Sequence, residues 1–121
     1  MPFPVDERLI AAAEERLGRT LPPALRSHLS RRNGGWIQTR DEDWALYPVW
    51  DPTDSKRITR TARHIVRETE QARRSADFPP GAIAIAANVL GDRLVARPGS
   101  DDIEAWRQDT GTCHRVELPL N

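Results

Sequence analysis

The sequence predicts an α+β fold, in which a largely antiparallel sheet of five or six strands is packed on one face by about three helices. Three observations lead to this fold class. The chain has 121 residues, which suits one compact domain with one core. Apolar residues recur at helical spacing up to residue 73. Beyond the break FPPG at residues 78–81, short segments follow the alternating pattern of strands. We therefore expect residues 1–121 to form a single domain.

The first two helices are predicted over residues 6–17 and 21–33. In the first, Asp6 is placed to cap the N-terminus, and Gly18 is placed to end the helix in a left-handed conformation. In the second, two prolines fit the first turn, where a missing N–H does no harm. The apolar stripes of the two helices are Leu9, Ile10, Ala13 and Leu17, and then Leu21, Leu25, His28 and Leu29.

The segment Asn33-Gly34-Gly35 follows the second predicted helix. A hairpin turn would need a strand on both sides, and a phosphate-binding loop would place its glycines before a helix N-terminus. Here the residues that follow, WIQT, have the composition of a strand. We therefore predict the end of a helix, at which Gly34 or Gly35 takes a positive φ and Trp36 begins the sheet.

The rest of the chain divides into one strand, one helix and four further strands. The strand is predicted over residues 44–50, with Pro48 at an edge position or a bulge. The helix is predicted over residues 56–73, and its inner stripe is Ile58, Ala62, Ile65, Val66 and Thr69. The four strands are separated by turns that contain Gly with Asp or Asn. These strands cover residues 83–87, 93–96, 103–106 and 113–118.

Charge and composition narrow the class of function. The 18 Lys and Arg residues balance 18 Asp and Glu residues, which argues against a general nucleic-acid binder. Cys113 is the single cysteine, so no intrachain disulfide can form, and a reducing compartment suits it. The sequence has no apolar run that resembles a signal peptide or a membrane span. We expect a cytoplasmic protein that is not bound to a membrane.

The sequence shows no pattern typical of catalysis or of cofactor binding. Cys113 and His114 are neighbours on a predicted strand, so their side chains point to opposite faces and cannot form a nucleophile–base pair. No two histidines have a metal-binding spacing. The segment NVLGD lacks the Lys-Ser/Thr of a P-loop and is read as a turn, with Gly91 at positive φ and Asp92 accepting backbone hydrogen bonds. We expect no enzyme activity, no cofactor and no metal site.

The stretch from Asp41 to Asp51 is the main candidate for a partner-binding surface. An exposed Trp or Tyr ringed by acids would suit a basic protein surface, such as the active site of a nuclease. The alternative is that these residues belong to the core and to a solvated turn. The candidate residues are Asp41, Glu42, Asp43, Trp44, Tyr47, Trp50 and Asp51, joined by Asp101, Asp102 and Glu104 of a hairpin that could border the stretch. Trp36 and Trp106 are expected to be mainly structural.

A row of arginines on the long predicted helix is a second candidate surface. Such a row could bind an acidic partner or the phosphates of a nucleic acid, but it is more often simply solvated. The row consists of Arg57, Arg60, Arg63 and Arg67.

The order of these motifs resembles the SUKH superfamily, the domain of the fungal Smi/Knr regulators of cell-wall assembly. The resemblance extends from about residue 6 to residue 118, through a Leu-Gly helix end, a Leu-Pro helix start, Asn-Gly-Gly, a later Gly-Asp and a late Trp. The matching residues are Glu15, Leu17, Gly18, Leu21, Pro22, Asn33, Gly34, Gly35, Gly91, Asp92 and Trp106. One departure is that family members often have an aromatic residue on the second helix, where this chain has Leu25 or His28.

The resemblance implies a function in protein binding. Bacterial members of the superfamily are typically immunity proteins, which bind and neutralise a cognate toxin domain, often a nuclease, that is delivered between competing cells. The implied partner is therefore a protein toxin domain, and the implied mechanism is occlusion without catalysis. The alternative is a regulatory scaffold that binds other proteins, as in the fungal relatives.

Overall fold

The computed structural model describes residues 2–120, and the elements below are those of this range. The chain forms α1 (Glu7–Leu17), α2 (Pro23–Arg31), β1 (Trp36–Gln38), β2 (Asp43–Leu46), α3 (Ser55–Arg60), α4 (Ile65–Ala72), β3 (Ile83–Ala87), β4 (Arg93–Ala96), β5 (Glu104–Trp106) and β6 (Cys113–Arg115). The predicted α+β fold class is confirmed. None of these helices combines the length and the apolar character that crossing a membrane requires.

The strands found in residues 2–120 form one antiparallel sheet in the order β1-β2-β3-β4-β5-β6. Each strand pairs with its neighbour in the sequence, so the sheet is an antiparallel meander. A shift of register between Ala84 and Ala86 marks a bulge in β3. The first four residues of β3 are buried completely, so both faces of the sheet are covered there. Helix α4 packs on β3, and α1 packs on both α4 and α2.

Helix α1 begins and ends as its sequence predicts. The Asp6 carboxylate accepts a hydrogen bond from the N–H of Arg8 at 2.8 Å, which satisfies one free donor of the first turn. Gly18 has a φ of 77°, and its N–H donates to the carbonyl oxygen of Glu14 at 2.9 Å. This left-handed residue closes the helix and turns the chain towards α2.

The double glycine lies between α2 and β1, as predicted. Helix α2 ends at Arg31, two residues before the predicted end, and Arg32 is already extended. Gly34 has a φ of 116° and Gly35 a φ of 89°, and β1 begins at Trp36. The positive φ values reverse the chain direction at a point where an L-residue would be strained.

The single helix predicted over residues 56–73 is wrong, because the chain forms α3 and α4 with a break between them. At the break, the Thr61 hydroxyl donates to the Arg57 carbonyl at 2.8 Å and accepts from the Asp51 N–H at 3.0 Å. His64 then caps α4, since its Nδ1 accepts from the N–H of Arg67 at 3.3 Å. These side-chain bonds offer the backbone an alternative to helix continuation. As a result Ile58, predicted to face the core, is 41% exposed.

The strand predicted over residues 44–50 is also too long, because β2 ends at Leu46. Pro48 is buried outside the strand, so the predicted edge position or bulge within a strand is wrong. Its carbonyl oxygen accepts from the N–H of Ile65 at 2.8 Å and so meets the start of α4. The N–H of Val49 bonds to the side chain of Asn33 instead of to a strand.

The tryptophans divide differently from the expectation. Trp106 is structural as predicted, since it is fully buried and its indole N–H donates to the Asp77 carbonyl at 3.1 Å. Trp36 was expected to be structural as well, but 63% of it is exposed. The reason is that β1 is an edge strand, so no further strand or helix covers this end of the sheet.

Candidate functional site

Glu42, the central acid of the predicted acidic stretch, is held by an arginine from the far end of the chain. Arg107 Nη1 donates to Glu42 Oε2 at 2.9 Å and to Asp92 Oδ2 at 3.1 Å. Asn88 Nδ2 also donates to Glu42 Oε2, at 2.9 Å. The bonds from Arg107 hold the pKa of Glu42 below its ordinary value, against the opposing effect of partial burial. Glu42 therefore joins the β1–β2 turn to the ends of the neighbouring hairpins and has little capacity left for a partner.

The aromatic residues of the stretch lie mostly inside the protein. Trp44 is completely buried, and its indole N–H donates to the Thr39 hydroxyl at 3.3 Å. Tyr47 is also buried, which raises the pKa of its phenol. Trp50 is 38% exposed, and its ring contacts that of His64 at 5.4 Å between centroids. An exposed Trp44 or Tyr47 ringed by acids is thus not present, because both side chains fill the core.

The remaining acids of the prediction do not form one patch. Asp51 is buried, accepts from the N–H of Thr53 at 3.1 Å and lies 3.7 Å from Arg57 Nε. Asp41 and Asp43 are exposed at the β1–β2 turn. The register of the sheet places this turn beside the β3–β4 turn, whereas the β4–β5 loop lies at the opposite end. The second acidic group therefore does not border the first.

The acids of the β4–β5 hairpin have partners of their own. Asp101 accepts from Arg19 Nη2 at 3.1 Å, and Glu104 accepts from Arg97 Nε at 2.7 Å. Asp102 is exposed and lies 3.7 Å from Arg115 Nη2. These pairs link the hairpin to the loop between α1 and α2, close it internally and link it to β6.

The predicted arginine row is divided by the break between α3 and α4. Arg57 and Arg60 lie over the ring of Phe3, with guanidinium carbons at 4.2 Å and 4.6 Å from its centroid. Arg67 donates to the Ala62 carbonyl at 3.2 Å, and Arg63 lines a groove beside the sheet. The four arginines are thus distributed over two helices and the turn between them, so they do not form the single helical row that the sequence predicts.

The structure brings together a different set of residues, which sequence reasoning missed as a group. A groove is lined by Trp36, Ala45, Tyr47, Ala87, Val89 and Arg93, with Arg63 and Glu68 on its α4 side. We call this the sheet groove. Trp36 and Val89 both line the groove, and 63% and 87% of them are exposed, while Leu90 follows Val89 in the β3–β4 turn and is 76% exposed. We call these three residues the apolar rim. The sheet groove with its rim is the candidate functional site.

Two signals in the sequence could have indicated this rim. The turn NVLGD places Val89 and Leu90 between Asn and Gly, at the tip of a hairpin where side chains are solvated. Trp36 begins the first strand of a meander, and the first strand of a meander lies at an edge of the sheet. Apolar side chains at either place are not explained by packing.

The hairpin turn that carries Val89 and Leu90 is held by several hydrogen bonds. Asn88 Oδ1 accepts from the N–H of Leu90 at 3.0 Å and from the N–H of Asp92 at 2.9 Å. Gly91 has a φ of 86°, and the Asp92 carboxylate accepts from the N–H of Gln108 at 2.9 Å, as the predicted turn requires. Burial favours a higher pKa for Asp92, but the hydrogen bonds from Gln108, Asn88 and Arg107 outweigh it and lower that pKa.

The residues that carry the family resemblance are structural, with one exception. Leu17, Leu21, Pro22, Asn33, Asp92 and Trp106 are buried, while Gly18, Gly34, Gly35 and Gly91 have positive φ. Glu15 is exposed, whereas the neighbouring Glu14 is buried and accepts from the N–H of Leu21 at 2.7 Å. Glu14 also accepts from Arg26 Nε at 3.2 Å, so it joins α1 to α2. The structural role expected for Glu15 stays a prediction.

Cys113 and His114 are separated as the strand geometry predicts. Cys113 is half-buried, and burial raises the pKa of its thiol, which disfavours the reactive thiolate. His114 is exposed, and its Nε2 lies 3.1 Å from Arg107 Nε. Within residues 2–120, no group of three His, Cys, Asp or Glu side chains could hold a metal ion.

Comparison with known proteins gives one match. The family model described as SMI1 / KNR4 family (SUKH-1) matches residues 4–117, which is nearly the whole chain. Neither the comparison with curated proteins nor the comparison with solved structures gives a match.

Proposed function

The chain belongs to the SMI1 / KNR4 family (SUKH-1), and we propose that it is an immunity-type protein that binds a cognate toxin domain and neutralises it by occlusion. Bacterial proteins of the superfamily that this chain resembles typically have this role. Neutralisation by occlusion is stoichiometric, so it requires a stable contact surface and no catalytic group, cofactor or metal. In this proposal the protein acts in the cytoplasm.

The observation that carries the proposal is the apolar rim. Trp36, Val89 and Leu90 expose large apolar side chains on β1 and on the β3–β4 turn, and Trp36 and Val89 line the same groove. A contiguous patch of exposed apolar side chains often marks a protein contact site, whereas single scattered ones need no explanation. Trp is also among the residues that contribute most to protein interfaces. A partner that covered this rim would bury these side chains with little loss of conformational freedom in the backbone.

Two exposed acids can assist the approach of a basic partner. Asp43 pairs with Gln38 across β1 and β2, and Trp36 pairs with Ala45, so Asp43 lies on the same face as Trp36. Asp41 lies in the adjoining turn. Charges at the border of an interface mainly raise the association rate and lose this effect as salt is added. This is what remains, after folding, of the acidic surface that the sequence predicts.

The proposal is tested with the toxin-like product of the neighbouring gene. The full chain and the C-terminal domain of that product are co-expressed. Complex formation is measured by size-exclusion chromatography, and neutralisation is measured by growth of the host. We expect a complex of fixed stoichiometry and growth that is restored only when the chain is at least equimolar to the toxin. Rescue at far below equimolar amounts would instead indicate catalysis.

A pair of variants distinguishes the rim from apolar exposure in general. Trp36→Ala should weaken the complex at least about tenfold, as expected when a tryptophan that the partner buries is lost from an interface. Ile58→Ala is the matched control, since Ile58 is exposed on α3 and does not line the groove. The proposal is abandoned if the neighbouring gene encodes no toxin-like protein, or if the two chains do not associate. A regulatory scaffold that binds other proteins then becomes the leading hypothesis for the function.

A further inference from the structure

The floor of the sheet groove is made of small side chains between two large ones. Trp36 is paired with Ala45, Ala45 with Ala87, and Ala87 with Arg93, so these four residues form one row across β1 to β4. Side chains in such a row share one face of the sheet. All four residues line a depression of about 540 Å³, and Trp36 and Arg93 are the two ends of the row within it. This volume is enough for a few side chains of a partner.

The Arg93 end of the groove carries a positive charge that forms no ion pair with an acid of residues 2–120. Arg93 is half-buried, and its Nε is buried without a hydrogen-bond partner among residues 2–120. Burial raises the pKa of the nearby Tyr47 phenol and outweighs the charge of Arg93, which favours a lower pKa, so the phenol carries no charge at neutral pH. Neither Arg93 nor Arg63 is within 4.0 Å of a carboxylate in the described part of the chain. Glu68 is the one carboxylate among the described residues that line the groove.

A half-buried guanidinium without an acid is costly, because burial removes water and supplies no opposite charge in return. Two arginines against one glutamate also leave the groove with a net positive charge. A carboxylate that entered the groove would gain a charge-assisted hydrogen bond with Arg93 and would neutralise this excess. Arginine offers two parallel donors for such a contact, so the geometry would be specific as well as attractive.

We propose that the sheet groove binds a protruding segment of the partner protein, whose Asp or Glu side chain pairs with Arg93 and whose apolar residues cover the alanine floor and Trp36. The inference rests on the proposed function in that it takes the partner to be a protein, and it adds the chemistry of the partner's contact segment.

The spacing of the row defines the length of that segment. Three strand-to-strand steps separate Trp36 from Arg93, which amounts to about 14 Å. In an extended chain, residues four positions apart are separated by about 13 Å and point to the same side. An apolar residue at the first position and a glutamate at the fifth would therefore reach the two ends of the groove together.

The test uses two synthetic peptides and the isolated full chain, so it does not depend on finding a toxin. The acidic peptide is acetyl-Leu-Thr-Val-Thr-Glu-amide, and the matched peptide has Gln in place of Glu. Binding is followed by NMR of the Trp36 indole N–H and the Arg93 Nε–H in nitrogen-15-labelled protein. We expect both signals to shift with the acidic peptide at millimolar concentration, and the Gln peptide to bind about fivefold more weakly.

Three variants locate the source of the preference. Arg93→Gln should remove the preference for Glu over Gln, and Arg63→Gln, at the exposed rim of the groove, should reduce it without risk to the fold. Arg74→Gln is the control, because Arg74 is exposed just after α4 and does not line the groove. The dispersion of the amide spectrum shows whether each variant is folded.

Several outcomes would overturn the inference. These are equal affinity for the two peptides, no shift at Trp36 and Arg93, or an unchanged preference in both Arg93→Gln and Arg63→Gln. Shifts of these signals that depend on protein concentration without any peptide would mean that a second copy of the chain occupies the groove. A positive peptide result together with a failed co-expression experiment would retain the groove and reject the immunity role.

Discussion

Asn33 and Val49 are joined by two buried hydrogen bonds. Asn33 Nδ2 donates to the Val49 carbonyl oxygen at 2.9 Å, and the Val49 N–H donates to Asn33 Oδ1 at 2.7 Å. The amide thereby takes the place of a strand neighbour for a backbone segment that has left the sheet at Leu46. The first residue of the Asn-Gly-Gly segment is thus a structural link between α2 and the chain that follows β2.

Replacement of Asn33 by alanine should strongly destabilise the protein. The change removes both bonds and leaves a buried N–H and a buried C=O of Val49 without partners, which should cost about 2–4 kcal/mol of unfolding free energy. Urea denaturation followed by circular dichroism measures this cost. Gln38→Ala is the control, because Gln38 is exposed on β1, and it should change the free energy by less than about 0.5 kcal/mol. Equal effects of the two substitutions would refute the structural role of Asn33.

Arg107→Ala should destabilise the junction of the three turns. The substitution leaves Glu42 and Asp92 close together without a cation, at an expected cost of about 2–3 kcal/mol. Arg107→Lys should retain only part of the stability that Arg107→Ala loses, since one ammonium cannot form the several directed bonds of the guanidinium. Arg115→Ala removes an exposed arginine and should cost at most about 0.5 kcal/mol. Thermal and urea unfolding of the parent protein and the three variants should give the largest loss of stability for Arg107→Ala, a smaller loss for Arg107→Lys and the smallest for Arg115→Ala. A loss from Arg107→Ala no larger than that from Arg115→Ala would contradict this prediction.

The stability of the protein should depend on the ionisation of Glu42 in acid. Because the pKa of Glu42 is lower in the folded than in the unfolded state, its contribution is complete above the unfolded value of about 4.5. The contribution is lost as the pH falls through the folded value. The free-energy difference between the parent protein and Glu42→Gln should therefore be constant near neutral pH and shrink below about pH 4.5. Glu117→Gln, at a highly exposed site, should show no such change. If the free-energy difference between the parent protein and Glu42→Gln stays constant down to pH 3, the ion pair of Glu42 is not its cause.

Gly34→Ala should cost more stability than Gly99→Ala. Gly34 has a φ of 116°, far from any region that alanine readily adopts, whereas the φ of 73° at Gly99 is close to the left-handed region. A Cβ at Gly34 would meet its nearest neighbour at 3.6 Å, an ordinary contact, so its cost is conformational. We expect about 2 kcal/mol or more for Gly34→Ala and about 1 kcal/mol for Gly99→Ala in urea denaturation. The reverse order would show that the turn relaxes around the new side chain.

Local patterns predicted the parts of the fold that local chemistry decides. The cap at Asp6, the left-handed Gly18 and the meander after residue 81 depend on residues that are close in sequence. The break between α3 and α4 was missed because Thr61 bonds to Asp51, which lies outside the helical segment. The partner of Glu42 could not be predicted for a similar reason, since Glu42 is held by a residue 65 positions away.

The sequence alone determined the fold class, the family resemblance and the absence of local motifs for catalysis, because each of these depends on the order and spacing of residues that are close in the sequence. Only the tertiary structure decided which aromatic and charged side chains reach the surface. Trp44 and Trp36 are equally apolar, but β2 is covered on both sides by neighbouring strands and β1 is an edge. Arg107 and Arg93 carry the same charge, but packing places two carboxylates beside Arg107 and leaves Arg93 facing a groove. Exposure and pairing depend on which distant residues meet, and that is fixed only when the sheet is assembled.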